Sequence, residues 1–526
     1  MEQIHSRAAR AARGVAGMAP RQPNILLVTT DQQRWDTMGA LGAPGLHTPT
    51  LNRLCAEGTA CTRAYCANPL CSPSRASLLT GLLPSRHGCW TVGVPLRHTR
   101  TTLAHRLRRL GYTTALIGKG HLQPCLWPGS PEAAPAIFSL EHFAGWRGPY
   151  YGFERCALTI GHTCEPHAAG MHYGLWLRCQ GVDSSAFFGG QRSHELANAP
   201  GGRWDLPPQW HSSHWVADLA IRQLHTWARR DRTQPFLLWA SFPDPHPPFV
   251  APEPWYSRQV ALGDAGTPPT AAPDRWIDRP ALYGAALEGR AAAHWPEDTL
   301  PPAGFDPGLD HRTIPADATR RWRHAYFAMI AQVDHHLGRI LAALDECGQA
   351  DRTLVVFTSD HGELLGDNGL WGKGPFHVES VLRVPLLWRW PGRIPAGRRC
   401  AALFSLMDLM PTLLGAAGGA VPAGLDGLDQ GAVLWQDAPG PREAVRIENR
   451  ATPGLQLQTV VTHRYKLTTH LPGDTGELYD LEADPHECRN LWRDPDHAEL
   501  RRRLAAKLPA QLDPPPGQLA PRLAYA

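Results

Sequence analysis

Short apolar runs that stop abruptly on polar or charged residues set the rhythm of this chain. Ile25-Leu26-Leu27-Val28 passes through Thr29-Thr30 into Asp31-Gln32, and Thr353-Leu354-Val355-Val356-Phe357-Thr358-Ser359 runs into Asp360-His361-Gly362-Glu363. Thr113-Thr114-Ala115-Leu116-Ile117 stops at Gly118-Lys119-Gly120-His121, and Phe236 to Phe242 stops at Pro243-Asp244-Pro245-His246. Continuous, partly β-branched runs of this length predict strands buried on both faces, as in a parallel sheet, with polar side chains delivered at the carboxyl ends. Arg320 to Leu344 carries Met329, Ile330, Val333, Leu337, Ile340 and Leu341 at three- and four-residue spacing. That spacing predicts an amphipathic helix crossing back before the Asp360 strand.

Punctuation divides the rest. The sheet is expected to be nearly finished after Val384-Pro385-Leu386-Leu387-Trp388, and a smaller domain is expected from about Pro441, with Gln456 to Thr462 and Tyr465 to His470 as paired strands. Residues 123–215 and 251–318 are Gly/Pro-rich with weak periodicity, so both are expected to be insertions that roof a pocket. Residues 1–22 are expected to form a mobile extension, and the Pro-rich tail, 511–526, to fray.

A chain of 526 residues with 43% hydrophobic content can bury a large core and divide into domains. Its net charge of +4 is diffuse, with Arg501-Arg502-Arg503 the longest basic run, which argues against nucleic acid as a partner. No eighteen-residue apolar stretch occurs, and the Ala/Arg-rich N-terminus lacks the apolar core of a secretory signal. The expectation is a cytoplasmic protein with no membrane span, preferred over an organellar transit peptide, and with mostly reduced thiols. Cys55, Cys61, Cys66 and Cys71 are spaced by five or six residues, unlike a zinc ribbon.

The candidate chemistry centres on Cys71-Ser72-Pro73-Ser74-Arg75, followed by Ala76-Ser77-Leu78-Leu79-Thr80-Gly81. Pro73 suits a helix start, which would leave Cys71 just outside the helix and facing its positive end, a place for an anion. Lysine usage is independent evidence. Of 52 Lys+Arg only four are lysines, Lys119, Lys373, Lys466 and Lys507. In so arginine-biased a chain, a lysine marks a place where the wide guanidinium fork does not fit. Two of the four lie in motifs, Gly118-Lys119-Gly120-His121 and Leu370-Trp371-Gly372-Lys373.

The eleven residues from Cys71 to Gly81 resemble the signature of the type I, formylglycine-dependent sulfatase family, within the alkaline phosphatase-like superfamily. There a cysteine is oxidised by a formylglycine-generating enzyme to Cα-formylglycine. The strand ends at Asp31 and Asp360, the Gly-Lys-x-His motif, Lys373 and the His246-Pro247-Pro248-Phe249 context follow in family order. Leu406 to Leu414 resembles a family helix, and Glu477-Leu478-Tyr479-Asp480-Leu481 to Asn490-Leu491 resembles its C-terminal signature. The resemblance covers roughly residues 23–495.

It implies an α/β fold: a large mixed, mostly parallel sheet sandwiched by helices (23–440), with a smaller C-terminal α+β domain (441–510) carrying an antiparallel sheet. It implies hydrolysis of a sulfate monoester, small-molecule or saccharide, to an alcohol and inorganic sulfate. Asp31, Asp360, His361 and the formylglycine at Cys71 would share one divalent metal, Ca²⁺ first, with Mg²⁺ or Mn²⁺ as alternatives. A metal-bound hydroxyl of the hydrated aldehyde attacks sulfur, and the second hydroxyl loses its proton to expel sulfate. His246, helped by Lys373, protonates the leaving group; His121 takes the second proton; Arg75 and Lys119 hold formylglycine and sulfate oxygens.

This chain departs from many members at Gln32, where a second carboxylate is common, and at His361, where others have Asn. Gln32 could still offer a carbonyl oxygen to the metal, and it resembles the choline sulfatase and phosphonate monoester hydrolase branches. Thr91 or Val92 stands near where the hydrolase branch has Asn. The rival reading is therefore a phosphonate monoester or phosphodiester hydrolase, against which the Lys119 and His121 pair counts. A rival of another class is a non-catalytic anion- or metal-binding protein, if Cys71 stays unmodified.

Overall fold

The computed structural model describes residues 22–125, 130, 132, 140–160, 170–182, 201–204, 207–264, 276–291, 306, 308–452, 455–514 and 518–523. The expected N-terminal extension lies outside the described residues apart from Gln22.

The apolar runs become the centre of a nine-stranded sheet. Its strands are β1 (Asn24–Thr30), β2 (Thr59–Tyr65), β3 (Thr113–Lys119), β4 (Arg155–Thr159), β6 (Phe236–Ser241), β8 (Thr353–Ser359), β9 (Arg383–Val384), β10 (Leu386–Arg389) and β11 (Arg398–Ser405). A separate two-stranded ladder pairs β5 (Gly202–Trp204) with β7 (Val250–Pro252). The large sheet runs β11-β2-β10-β8-β1-β6-β3-β4, with β9 added against β2. β1 pairs in parallel with both β6 and β8, and β3 pairs in parallel with β6 and β4, so four strand ends carrying Asp31, Asp360, Lys119 and the Asp244 turn point the same way. Only β10, antiparallel to β8 and β2, and the short β9 break the pattern.

Both sheet faces are covered, which is why the strands read as unbroken apolar runs. Ile25, Leu27, Leu237, Trp239, Leu354 and Val356 face one buried cluster, while Leu26, Val28, Leu238, Ala240, Val355 and Phe357 face the other. The helix Ala316–Glu346, somewhat longer than its predicted span, packs Val333, Leu337, Ile340 and Leu341 into the second cluster. Among the described residues no helix is long and apolar enough to cross a membrane.

Two expectations change. The 123–215 segment is more than a roof, because β4 forms the sheet edge beside β3 and the helix Met171–Cys179 covers it. The tail does not simply fray: Trp90 Nε1 donates to the Ala520 carbonyl (2.9 Å), and Leu523 N–H donates to the Gly93 carbonyl (2.8 Å). Residues 515–517 and 524–526 lie outside the described part.

The C-terminal sheet, β12 (Val445–Thr452), β13 (Leu455–Val461), β14 (Tyr465–Leu471) and β15 (Thr475–Asp480), is antiparallel throughout. It braces the catalytic side of the large sheet: Asn449 Nδ2 donates to the Gly374 carbonyl (3.0 Å), one residue after Lys373. At its centre Glu477, 0% exposed, accepts from Tyr479 (2.8 Å), His470 (3.0 Å) and Tyr283 (3.1 Å). Burial alone would raise its pKa, but His470 and then Arg279 bring it to about 2 from 4.5. A carboxyl held below its unfolded value contributes stability that is complete above that value and lost as pH falls towards the folded one. Glu477→Gln is therefore expected to lower unfolding free energy at neutral pH by on the order of 3 kcal/mol. Denaturant titrations should show the variant's stability varying less with pH between about 4.5 and 2 than the wild type's.

Candidate active site

Strand direction assembles the site before any side chain is considered. Asp31 follows β1, Asp360 follows β8 and Lys119 ends β3, so residues far apart in sequence share one end of the sheet. Two glycines permit the close approach. A Cβ at Gly118 (φ +110°) would sit 1.8 Å from the Ser241 carbonyl oxygen, and one at Gly362 would sit 1.9 Å from that of Ser380. Cys71 is the first residue of the helix Cys71–Thr80, rather than just outside it as expected, with Leu70 as N-cap.

Asp31, Cys71, Asp360 and His361 each offer a ligand atom, and the four atoms lie within 4.8 Å of one another, all buried. His361 Nδ1 lies 2.9 Å from the Gly362 carbonyl, an arrangement that puts the ring proton there and leaves Nε2 to face Cys71 Sγ at 3.2 Å. Burial lowers the His361 pKa to about 4, so the ring is a neutral donor at pH 7. Burial raises Asp31, yet Lys119 first, then His246, Arg75 and Lys373, hold it well below the usual carboxylate range. Two carboxylates and one imidazole nitrogen around a protected volume suit a hard divalent cation.

Arg75 ties the site together. Its Nε donates to Asp360 Oδ2 (2.8 Å), its Nη1 to the Lys119 carbonyl and Ser241 Oγ (both 2.9 Å), and its Nη2 reaches Asp31 Oδ2 at 3.4 Å. The guanidinium, 0% exposed, thus clamps both carboxylates and the end of β3. Lys119 Nζ lies 2.6 Å from Asp31 Oδ2. Lys373 Nζ lies 2.9 Å from Cys71 Sγ, 2.6 Å from Gln32 Oε1 and 3.2 Å from His361 Nε2.

Gln32 joins the constellation. Its carbonyl oxygen accepts from Lys373, its amide nitrogen donates to Glu363 Oε2, and its backbone, at φ 69°, donates to Asp360 Oδ1 (3.0 Å). Gln32 therefore aims Lys373 at the site. Behind Gln32 lies Glu363, 0% exposed and fixed by the N–H groups of Leu365 (3.0 Å) and Gly372, with its pKa raised by burial.

His121 adopts φ 54°, and its backbone N–H donates to Glu132 Oε2 (2.8 Å). Neither of its ring nitrogens has a hydrogen-bond partner among the described residues, and burial together with Lys119 pushes its pKa well down. The neutral ring offers one acceptor nitrogen. His246 is partly exposed, and its Nδ1 lies 2.7 Å from the Pro247 carbonyl. The surrounding segment turns, with cis bonds at Asp244-Pro245 and Pro247-Pro248.

Sequence reasoning missed Ser241, Glu363 and Glu132. Ser241 ends β6 and Glu363 follows His361 by two residues, so both sat beside recognised motifs. Glu132 lies in the weakly periodic segment and carried no local signal; burial raises its pKa to about 8.

The family model described as Sulfatase matches residues 23–127 and 165–420, and one described as N-sulphoglucosamine sulphohydrolase, C-terminal, matches 366–513. The multifunctional alkaline phosphatase superfamily protein PehA of Trinickia caryophylli is 30% identical, over 92% of this chain and 94% of its own length. An arylsulfatase of Clostridium perfringens is 28% identical, over 91% and 92%. The crystal structure of a phosphonate monoester hydrolase of Agrobacterium radiobacter superposes with a TM-score of 0.72 at 27% identity, covering 92% of this chain and 94% of that one.

Proposed function

Because the chain belongs to the sulfatase family of sulfuric ester hydrolases, we propose that it cleaves a small-molecule or saccharide sulfate monoester at position 71, after Cys71 has been oxidised to formylglycine by a maturation enzyme. The observation that carries this reading is the convergence of Cys71 with Asp31, Asp360 and His361, with Lys119 and Lys373 packed against them. In the structure the Cys71 thiol occupies the place of the modified group. The four residues fit a divalent cation, for which Ca²⁺ matches the carboxylate oxygens best. Bound there, the cation would supply charge against sulfate oxygens and acidify the attacking hydroxyl of the hydrated aldehyde.

The chain's own residues do the rest. Arg75 fixes the carboxylates, and Gln32 fixes Lys373 at 2.9 Å from position 71, where its ammonium offsets charge on the transferring group. His246, with Nδ1–H held by the Pro247 carbonyl, acts in its imidazolium form and gives the Nε2 proton to the departing alkoxide. His121, neutral and with open ring nitrogens, accepts a proton from position 71 in the second half-reaction.

Two compact ammonium groups favour a transferred group whose non-bridging oxygens are all unsubstituted, so an aryl sulfate should exceed an aryl phosphonate monoester in kcat/KM. A wild type that prefers the phosphonate would replace this reading by the diesterase one. Lys373→Ala is expected to cost about 2–4 kcal/mol of transition-state stabilisation. Lys373→Arg should recover little, because the planar fork has no room between Gln32 Oε1 at 2.6 Å and His361 Nε2 at 3.2 Å. Steady-state rates of both variants on the sulfate decide it, and normal activity in Lys373→Arg would remove Lys373 from this role.

A further inference from the structure

Away from the active-site end of the sheet, two thiols face each other across neighbouring strands. Cys61 on β2 and Cys400 on β11 are register partners in a parallel pair and belong to one core cluster. Register partners share a face, and adjacent strands run about 4.7–4.9 Å apart, inside the roughly 4.4–6.8 Å Cα separation that disulfides span. The register shifts between Cys400 and Leu403, so the ladder gives locally beside the pair. The neighbouring Cys61 thiol, working against burial, draws the Cys400 pKa down to about 6, while burial and then Cys400 push Cys61 up. Arg398 Nη2 lies 3.9 Å from Cys400 Sγ, a cation beside the more acidic sulfur. A cavity of about 180 Å³, lined by Trp35, Thr62, Arg383, Arg399 and Cys61, adjoins the pair on the Cys61 side, with room for several waters.

We propose that Cys61 and Cys400 form an oxidation site for small hydroperoxides that closes to a disulfide joining β2 to β11. The Cys400 thiolate attacks one peroxide oxygen; the S–O bond forms, the O–O bond breaks, and hydroxide leaves. The Cys61 sulfur then attacks the Cys400 sulfenic sulfur; the S–S bond forms, the S–O bond breaks, and the oxygen leaves as water with the Cys61 proton. The two sulfurs give up two electrons and the peroxide takes them. The chemistry is separate from position 71 and does not depend on the sulfatase reading.

The test treats the full-length protein with hydrogen peroxide and digests it with trypsin without reduction. The expected product links the peptide Leu54 to Arg63 with Cys400 to Arg442, two hydrogens lighter than the sum, and a thiol reductant separates them. The first peptide also contains Cys55, so Cys55→Ser should keep the link and Cys61→Ser should abolish it, leaving Cys400 to be trapped as a sulfenic acid by a 1,3-diketone. Differential alkylation of the wild type provides a readout that needs no variant: Cys400 should become protected by peroxide and return with reductant, while Cys66 and Cys156, pushed up by burial, stay unchanged. Absence of the link, its survival in Cys61→Ser, or equal oxidation of Cys66 and Cys156 would overturn the proposal.

Discussion

Cys71→Ala is expected to fold normally and to lose at least about five orders of magnitude in kcat, the scale on which removal of a covalent nucleophile is felt. Cys71 is 2% exposed and sits where every neighbour is chemical: Lys373 at 2.9 Å, His361 at 3.2 Å and Asp31 at 3.5 Å from Sγ. Burial, and then Asp31, push its thiol pKa upward, so the unmodified residue is a poor thiolate nucleophile in this setting. Chain made without a formylglycine-generating enzyme should therefore be as inactive as the alanine variant. Made beside that enzyme, it should yield a tryptic peptide from Ala64 to Arg75 in which sulfur and two hydrogens are replaced by oxygen. Alanine suits the first turn of a helix, and the helix Cys71–Thr80 keeps its Leu70 cap, so the melting temperature should change little. Full activity in Cys71→Ala would end the covalent mechanism.

Asp360→Asn should be the most damaging conservative change, because one carboxylate serves the cation site and the buried scaffold together. It accepts from Arg75 Nε (2.8 Å), Gln32 N–H (3.0 Å) and His361 N–H (2.9 Å), and all these groups are buried. Removing its charge leaves Arg75 with Asp31 alone, at 3.4 Å, as carboxylate partner. Breaking a buried pair in this way costs about 3–5 kcal/mol. The variant should therefore lose stability, bound metal and turnover together, as read by denaturant titration, metal content after dialysis, and rates on an aryl sulfate. A chelator should inactivate the wild type reversibly, with activity restored by Ca²⁺. If metal-free wild type turned over at the normal rate, or if Asp360→Asn kept its metal, the four residues would be structural only.

How far the sequence carried can be judged residue by residue. β1, β3, β6 and β8 were legible because each is buried on both faces and reads as an unbroken apolar run, and the residue that stops each run stands at its carboxyl end. β2, β4 and β11 were not, since Thr59–Tyr65, Arg155–Thr159 and Arg398–Ser405 mix charged and small polar residues with apolar ones, as strands near a sheet edge do.

The sequence by itself determined which chemistry is present: Cys71 at a helix start, carboxylates at two strand ends, and two lysines in a chain that otherwise prefers arginine. Tertiary structure alone decided what each of these groups touches. Arg75 turned out to clamp carboxylates, Gln32 to aim Lys373, and Glu363 to hold the Gln32 amide from behind. The reason is geometric. Periodicity and turn chemistry act over a few residues, whereas the partners of Arg75, Gln32 and Lys373 lie up to 341 residues away and meet only because four parallel strands end on the same side of the sheet.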